Sequence, residues 1–168
     1  MESWQRLDLA APAEARDLLR GCCGASAWVE GMMARRPFAS HHSLMATARD
    51  EWFGLQRSDW LEAFEHHPKI GDRESLRLRF ARTAHLSERE QAGVDGASEN
   101  VLEALAEGNR EYERRFGYIF IVCASGKSAD EMLRLLRQRL PNPPDVEIHI
   151  AAEEQAKITE LRLMELET

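Results

Sequence analysis

An all-α chain, folded as one domain of about eight helices, is what the sequence predicts, on three observations. Apolar residues recur at helical spacing from one end to the other, and period-two alternation is nearly absent. Proline, glycine and small polar residues fall where helices of ordinary length would start and stop. At 168 residues the chain fits a single domain, 1–168. A domain of that size buries about 70% of the surface its unfolded form exposes.

Taken in order, residues 13–22 (AEARDLLRGC) and 26–36 read as short amphipathic helices. The second stops at Arg36-Pro37, because the residue before proline is pushed out of the helical region. A third helix runs from about Ser40 to Leu55. A fourth begins near Ser58, sets Trp60, Leu61 and Phe64 on one face, and must end before Pro68. His66-His67-Pro68-Lys69-Ile70-Gly71-Asp72 is therefore a loop. A polar, arginine-rich helix over 73–84 and a fresh helix start at Ser87 follow. Over 98–116, Ser98 stands where a cap belongs, Val101, Leu105, Tyr112 and Phe116 form an apolar stripe, and Gly117 suits the end. Tyr118 to Cys123 (YIFIVC) is open to either a buried strand or a buried helical turn. Ser128 opens another helix with Met132, Leu133, Leu136 and Leu140 inward. Pro141, Pro143 and Pro144 break it, and a last helix occupies roughly 146–166.

Composition excludes several classes. With 29 acidic against 22 basic residues the net charge is -7, the wrong sign for a phosphate-backbone binder, so no nucleic acid partner is expected. No apolar run approaches the ~20 residues that span a bilayer, so no membrane partner is expected either. The amino terminus has no basic start followed by an apolar stretch, and the expected compartment is the cytoplasm. Cys22, Cys23 and Cys123 form neither a CxxC pair nor a disulfide framework and read as structural.

Six histidines invite a metal, but His41 and His42 are adjacent and point about 100° apart on a helix, and the i, i+4 pairing of a zinc helix is absent. No metal is expected. Neither a serine nucleophile elbow nor a phosphate loop is present, and Cys123 in an apolar run suits inert core. His67 stands apart. Pro68 ends the preceding helix and holds His67 extended, so the imidazole rides on a stiff loop and suits an acid or base near neutral pH; a helix-ending surface histidine fits the local sequence equally well. His66, His85 and His149 read as surface residues. Ser87-Glu88-Arg89-Glu90 fits a capping box, as does Ser128-Ala129-Asp130-Glu131. The first copy differs in being followed by Gln91, whose amide both donates and accepts, so that helix start could hold an anion. Arg162 is either a carboxylate partner or an exposed helical cation.

Four segments together carry a family likeness: Phe64 to Asp72 (FEHHPKIGD), Ser87 to Gly93 (SEREQAG), Asn109 to Ala124 (NREYERRFGYIFIVCA) and Lys157 to Leu163 (KITELRL), with the Arg36-Pro37-Phe38 turn. In that order they resemble the OHCU decarboxylases, enzymes of 2-oxo-4-hydroxy-4-carboxy-5-ureidoimidazoline, over nearly the whole chain. The resemblance implies an all-helical fold, usually a homodimer, that forms (S)-allantoin and carbon dioxide with no metal or organic cofactor. It implies proton transfer by His67. It also implies a substrate site lined by Pro68, Ser87, Glu88, Arg89, Glu90, Gln91, Phe120, Ile121, Val122, Cys123 and Ala124, with Glu90 catalytic and Arg162 the second main charge. The doubled His66-His67 and the Tyr118-Ile119 pair depart from the family pattern. Two other readings stand beside it: a noncatalytic helical dimerisation module, and a hydrolase of a neighbouring ureide such as 5-hydroxyisourate.

Overall fold

A computed structural model describes residues 1–68 and 95–167. Eight helices lie among them and no strand does: α1 (Ser3–Leu9), α2 (Pro12–Cys22), α3 (Ser26–Ala34), α4 (His41–Phe53), α5 (Arg57–Glu65), α6 (Asp95–Phe116), α7 (Ala129–Arg139) and α8 (Pro144–Met164). The all-helical expectation holds. The helices expected over 73–84 and from Ser87 lie outside the described residues. No described helix is long and apolar enough to cross a membrane.

Helix ends differ from expectation for local reasons. Helix α1 was not anticipated, because seven residues are too few to show a repeating stripe; the Glu2 N–H donates to Gln5 Oε1 at 3.1 Å, and Leu7 is fully buried. Helix α6 begins at Asp95, so Ser98 lies inside it and is not its cap. The inward stripe of α6 runs through Leu102, Leu105, Ala106, Tyr112 and Phe116, with Val101 at its margin. Ser128 does cap α7, its Oγ accepting from the Glu131 N–H at 3.2 Å. Helix α8 starts on Pro144, two residues earlier than expected. A proline in the first turn lacks only an N–H that has no helical partner, so it begins a helix as readily as it breaks one. The Tyr118–Cys123 run is neither strand nor helix, although Ile121, Val122 and Cys123 are buried.

The helices gather into two compact units, residues 1–67 with 149–168, and residues 68–148. In the first, three tryptophans cross-link the helices. Trp28 Nε1 donates to the Ala48 carbonyl at 3.0 Å, Trp52 Nε1 to the Ala152 carbonyl at 2.8 Å, and Trp60 Nε1 to the Trp52 carbonyl at 3.0 Å. Each indole is buried, and an unmet donor there would cost about 1–3 kcal/mol. Ala152 and Ala156 are small enough to let Trp52 reach the α8 backbone. Arg49 of α4 also grips α8, pairing at 2.8 Å with both Glu153 and Glu160. The Arg36-Pro37-Phe38 turn is held by Asp8, whose carboxylate accepts from the Phe38 and Ala39 N–H groups at 2.9 and 3.1 Å.

The α2–α3 junction presses on the end of α5. A Cβ on Gly24 would come within 2.6 Å of His66 Cβ, closer than real carbons approach, so only glycine leaves room there. Gly24→Ala is expected to lower stability by about 1–3 kcal/mol, the usual cost of an overfilled contact, measured as a shift in the denaturant midpoint. An unmoved midpoint would show that His66 swings aside freely.

Candidate active site

The histidine loop is built by the way α5 ends. The His66 and His67 N–H groups donate to the carbonyls of Ala63 and Phe64 at 3.2 and 3.3 Å, tightening the last turn before Pro68 stops it. His66 is exposed, its Nδ1 2.9 Å from the Glu62 carbonyl. His67 turns the other way and is half-buried. Its Nε2 lies 2.5 Å from Gln155 Oε1, and Gln155 Nε2 donates to Thr159 Oγ1 at 3.1 Å. Gln155 has no exposed surface and Thr159 almost none. Cys23 is also fully buried.

Arg162 lies one turn further along α8. Its Nη1 donates to the Cys22 carbonyl, the last of α2, at 3.3 Å, where a cation also meets the negative end of the helix dipole. Among the described residues it makes no ion pair. Burial holds the thiols of Cys22 and Cys23 high, at about 12 and about 11, with nearby Arg162 acting weakly the other way. They stay protonated at neutral pH and act as packing groups, in keeping with the structural reading of the sequence.

In the second unit the Phe120–Ala124 segment is fixed by a buried ion pair. Arg139 Nε and Nη2 reach Glu147 Oε1 at 2.7 and 2.6 Å. Tyr112 adds its hydroxyl to the same oxygen at 2.6 Å, and Asn142 Nδ2 donates to Oε2 at 3.0 Å. Glu147 is fully buried and Arg139 nearly so. Burial first, and then the bond to Glu147, push the Tyr112 phenol far above its ordinary range. The remaining arm of Arg139 donates from Nη1 to the Ile121 carbonyl at 2.7 Å, while its guanidinium lies 4.5 Å over the Phe120 ring. A segment without strand or helix thus has a backbone carbonyl satisfied from inside. Lys127 Nζ does the same for the Cys123 carbonyl at 2.8 Å.

Among the expected site residues, His67 and Arg162 belong to the first unit, and Pro68, Phe120, Ile121, Val122, Cys123 and Ala124 to the second. Ser87, Glu88, Arg89, Glu90 and Gln91 lie outside the described residues. Sequence reasoning missed Gln155, Thr159, Arg139 and Glu147, none of which has a local signature. His149 is exposed, as expected, and meets Trp60 edge-on at 5.5 Å. No three His, Cys, Asp or Glu side chains gather as metal ligands among the described residues.

Helices only, a proline-stopped histidine loop and a last helix carrying a buried amide are the features that the described residues bring to a candidate site. The chain belongs to the OHCU decarboxylase family, whose model matches residues 9–164. It is 45% identical over 148 residues to the uric acid degradation bifunctional protein TTL of Arabidopsis thaliana, covering 86% of this chain and 45% of that protein. It is 30% identical over 131 residues to 2-oxo-4-hydroxy-4-carboxy-5-ureidoimidazoline decarboxylase of Amia calva, covering 78% of this chain and 74% of the relative. The chain thus spans less than half of the bifunctional relative. A crystal structure of an OHCU decarboxylase in the presence of (S)-allantoin superposes with a TM-score of 0.72 at 41% identity, over 89% of this chain and 96% of that one. A structure of (S)-allantoin synthase shares the fold, with a TM-score of 0.70 at 19% identity, over 97% of this chain and 53% of that one.

Arg139→Met strands the Glu147 carboxylate without its cation and should cost about 3–5 kcal/mol in equilibrium unfolding, as expected for breaking a buried pair from one side. Adding Glu147→Gln should restore part of that loss. A cost under about 1 kcal/mol, the range of exposed pairs, would mean the pair is solvated in solution.

Proposed function

We propose that the chain decarboxylates 2-oxo-4-hydroxy-4-carboxy-5-ureidoimidazoline to (S)-allantoin and carbon dioxide, in the breakdown of uric acid. The observation that carries the reading is His67 itself: a histidine at the family's proline motif, held by a buried amide instead of facing bulk water. The substrate has a carboxylate and a hydroxyl on one ring carbon, next to a carbon doubly bonded to ring nitrogen. As the bond to the carboxylate breaks, its electron pair forms a carbon–carbon double bond and the imine pair moves onto nitrogen, which takes a proton. The resulting enol then loses its hydroxyl proton and gains one on the neighbouring carbon. One proton is consumed in all. The imine is the electron sink, so this route calls for no metal or organic cofactor.

In this reading His67 moves a proton, and Glu90 holds the hydroxyl and disfavours the adjacent carboxylate. Arg162 binds a substrate oxygen. Pro68, Ser87 to Gln91 and Phe120 to Ala124 line the site, by the family motif, and residues 1–168 act as one domain. Delivery of a proton to one face makes a single enantiomer. The acting form is a cytoplasmic homodimer, which the family resemblance supports; free cysteines suit that compartment.

His67→Asn should leave folding intact and cut turnover about 10²- to 10⁴-fold, the worth of acid–base assistance, in an assay that generates the unstable substrate in situ. Retention of more than about a tenth of the rate would return His67 to a structural role. Glu90→Gln should lose at least ~100-fold in turnover while still binding allantoin. Glu131→Gln, at the other S-x-x-E match, is the control and should be silent. Equal, small effects at the two glutamates would make Glu90 a helix cap only.

A further inference from the structure

We propose that Gln155 is a positioning residue that holds His67 in the Nε2–H tautomer, so that the proton exchanged with substrate passes through Nδ1. The inference rests on the reading of His67 as the proton-transfer group. An amide oxygen offers only lone pairs, so the ring nitrogen facing Gln155 Oε1 at 2.5 Å must carry hydrogen. In a neutral imidazole the other nitrogen is then the base.

The amide is oriented from its far end. Gln155 Nε2 donates to the Thr159 hydroxyl oxygen at 3.1 Å. The groups therefore run in one direction: ring N–H to amide oxygen, and amide N–H to hydroxyl oxygen. A flipped amide would put an N–H group against the ring and take the N–H donor away from the Thr159 hydroxyl oxygen. Gln155 and Thr159 are both buried, so water does not replace a lost partner at modest cost.

A neutral partner suits the chemistry assigned to His67. A carboxylate in the same place would also select the Nε2–H form, but it would stabilise the imidazolium and make the proton harder to return. An amide fixes the tautomer and the ring plane without adding charge, which leaves the imidazole able both to take and to give a proton near neutral pH. The arrangement resembles in logic the orienting group of a catalytic triad, with the charge removed.

The test is nitrogen NMR of the whole chain labelled with 15N-histidine, in which the ring shifts report which nitrogen carries the proton. The unmodified protein should show His67 protonated at Nε2 with a lone pair on Nδ1 at a pH where the ring is neutral; the opposite tautomer overturns the proposal whatever any variant does. Gln155→Leu should release the ring to a mixture of tautomers and lower kcat by at least ~10-fold, with KM held within about twofold. Gln155→Glu, which keeps an acceptor at the same place, should retain the Nε2–H form. Unchanged tautomer and kcat in Gln155→Leu would overturn the proposal, and should that variant not fold, the unmodified protein's spectrum still decides. If His67→Asn kept full activity, the reading of His67 would fail instead, whatever tautomer the ring adopts.

Discussion

Polar side chains buried along α8 impose the constraint on which the rest depends. Every fourth residue from Glu147 is inside: Glu147, Ala151, Gln155, Thr159 and Leu163. Three of the five are polar, and each would cost about 1–3 kcal/mol or more if left without a partner. The surroundings follow from that demand. Arg139, Tyr112 and Asn142 gather on Glu147, and His67 and Thr159 join through Gln155. The alanines between them let neighbours come close enough to meet the helix backbone, as Trp52 does at Ala152.

That economy has a chemical side. In the proposed reaction the substrate brings its own electron sink, which puts the work on placement. The groups that touch it must be few and held still. Side chains locked by buried hydrogen bonds have little freedom to lose when substrate arrives, which is how preorganised sites lower a barrier. Arg139 extends the same principle to a segment with no regular structure, replacing the ladder bonds that a strand would have supplied at Ile121.

How much of this was legible depends on whether the signal was local. Ser128 announced α7, Pro68 announced the end of α5, and His67 stood out because a proline followed it. The partner of His67 is 88 residues away in the chain and sits in AAEEQAKITE, a stretch whose mixture of charge and alanine reads as a solvated face. Arg139 lies in RLLRQR, where a cation near a helix end is ordinarily exposed and favoured by the dipole. Periodicity detects apolar burial only; polar burial is decided by what the fold brings opposite. Helix α1 escaped for a different reason, being too short for a period to appear. The Ser87–Gln91 segment gave a capping pattern and, through Gln91, a helix start that could hold an anion, and its catalytic reading came from the family likeness alone.

The handedness of the product tests most directly whether these side chains govern the proton. Substrate formed in situ from urate decays without help to allantoin, and circular dichroism reports which enantiomer accumulates. With the protein present, an optically active (S)-allantoin signal should grow in faster than the spontaneous reaction. Racemic allantoin forming at the spontaneous rate would contradict the assignment of this chemistry to the chain.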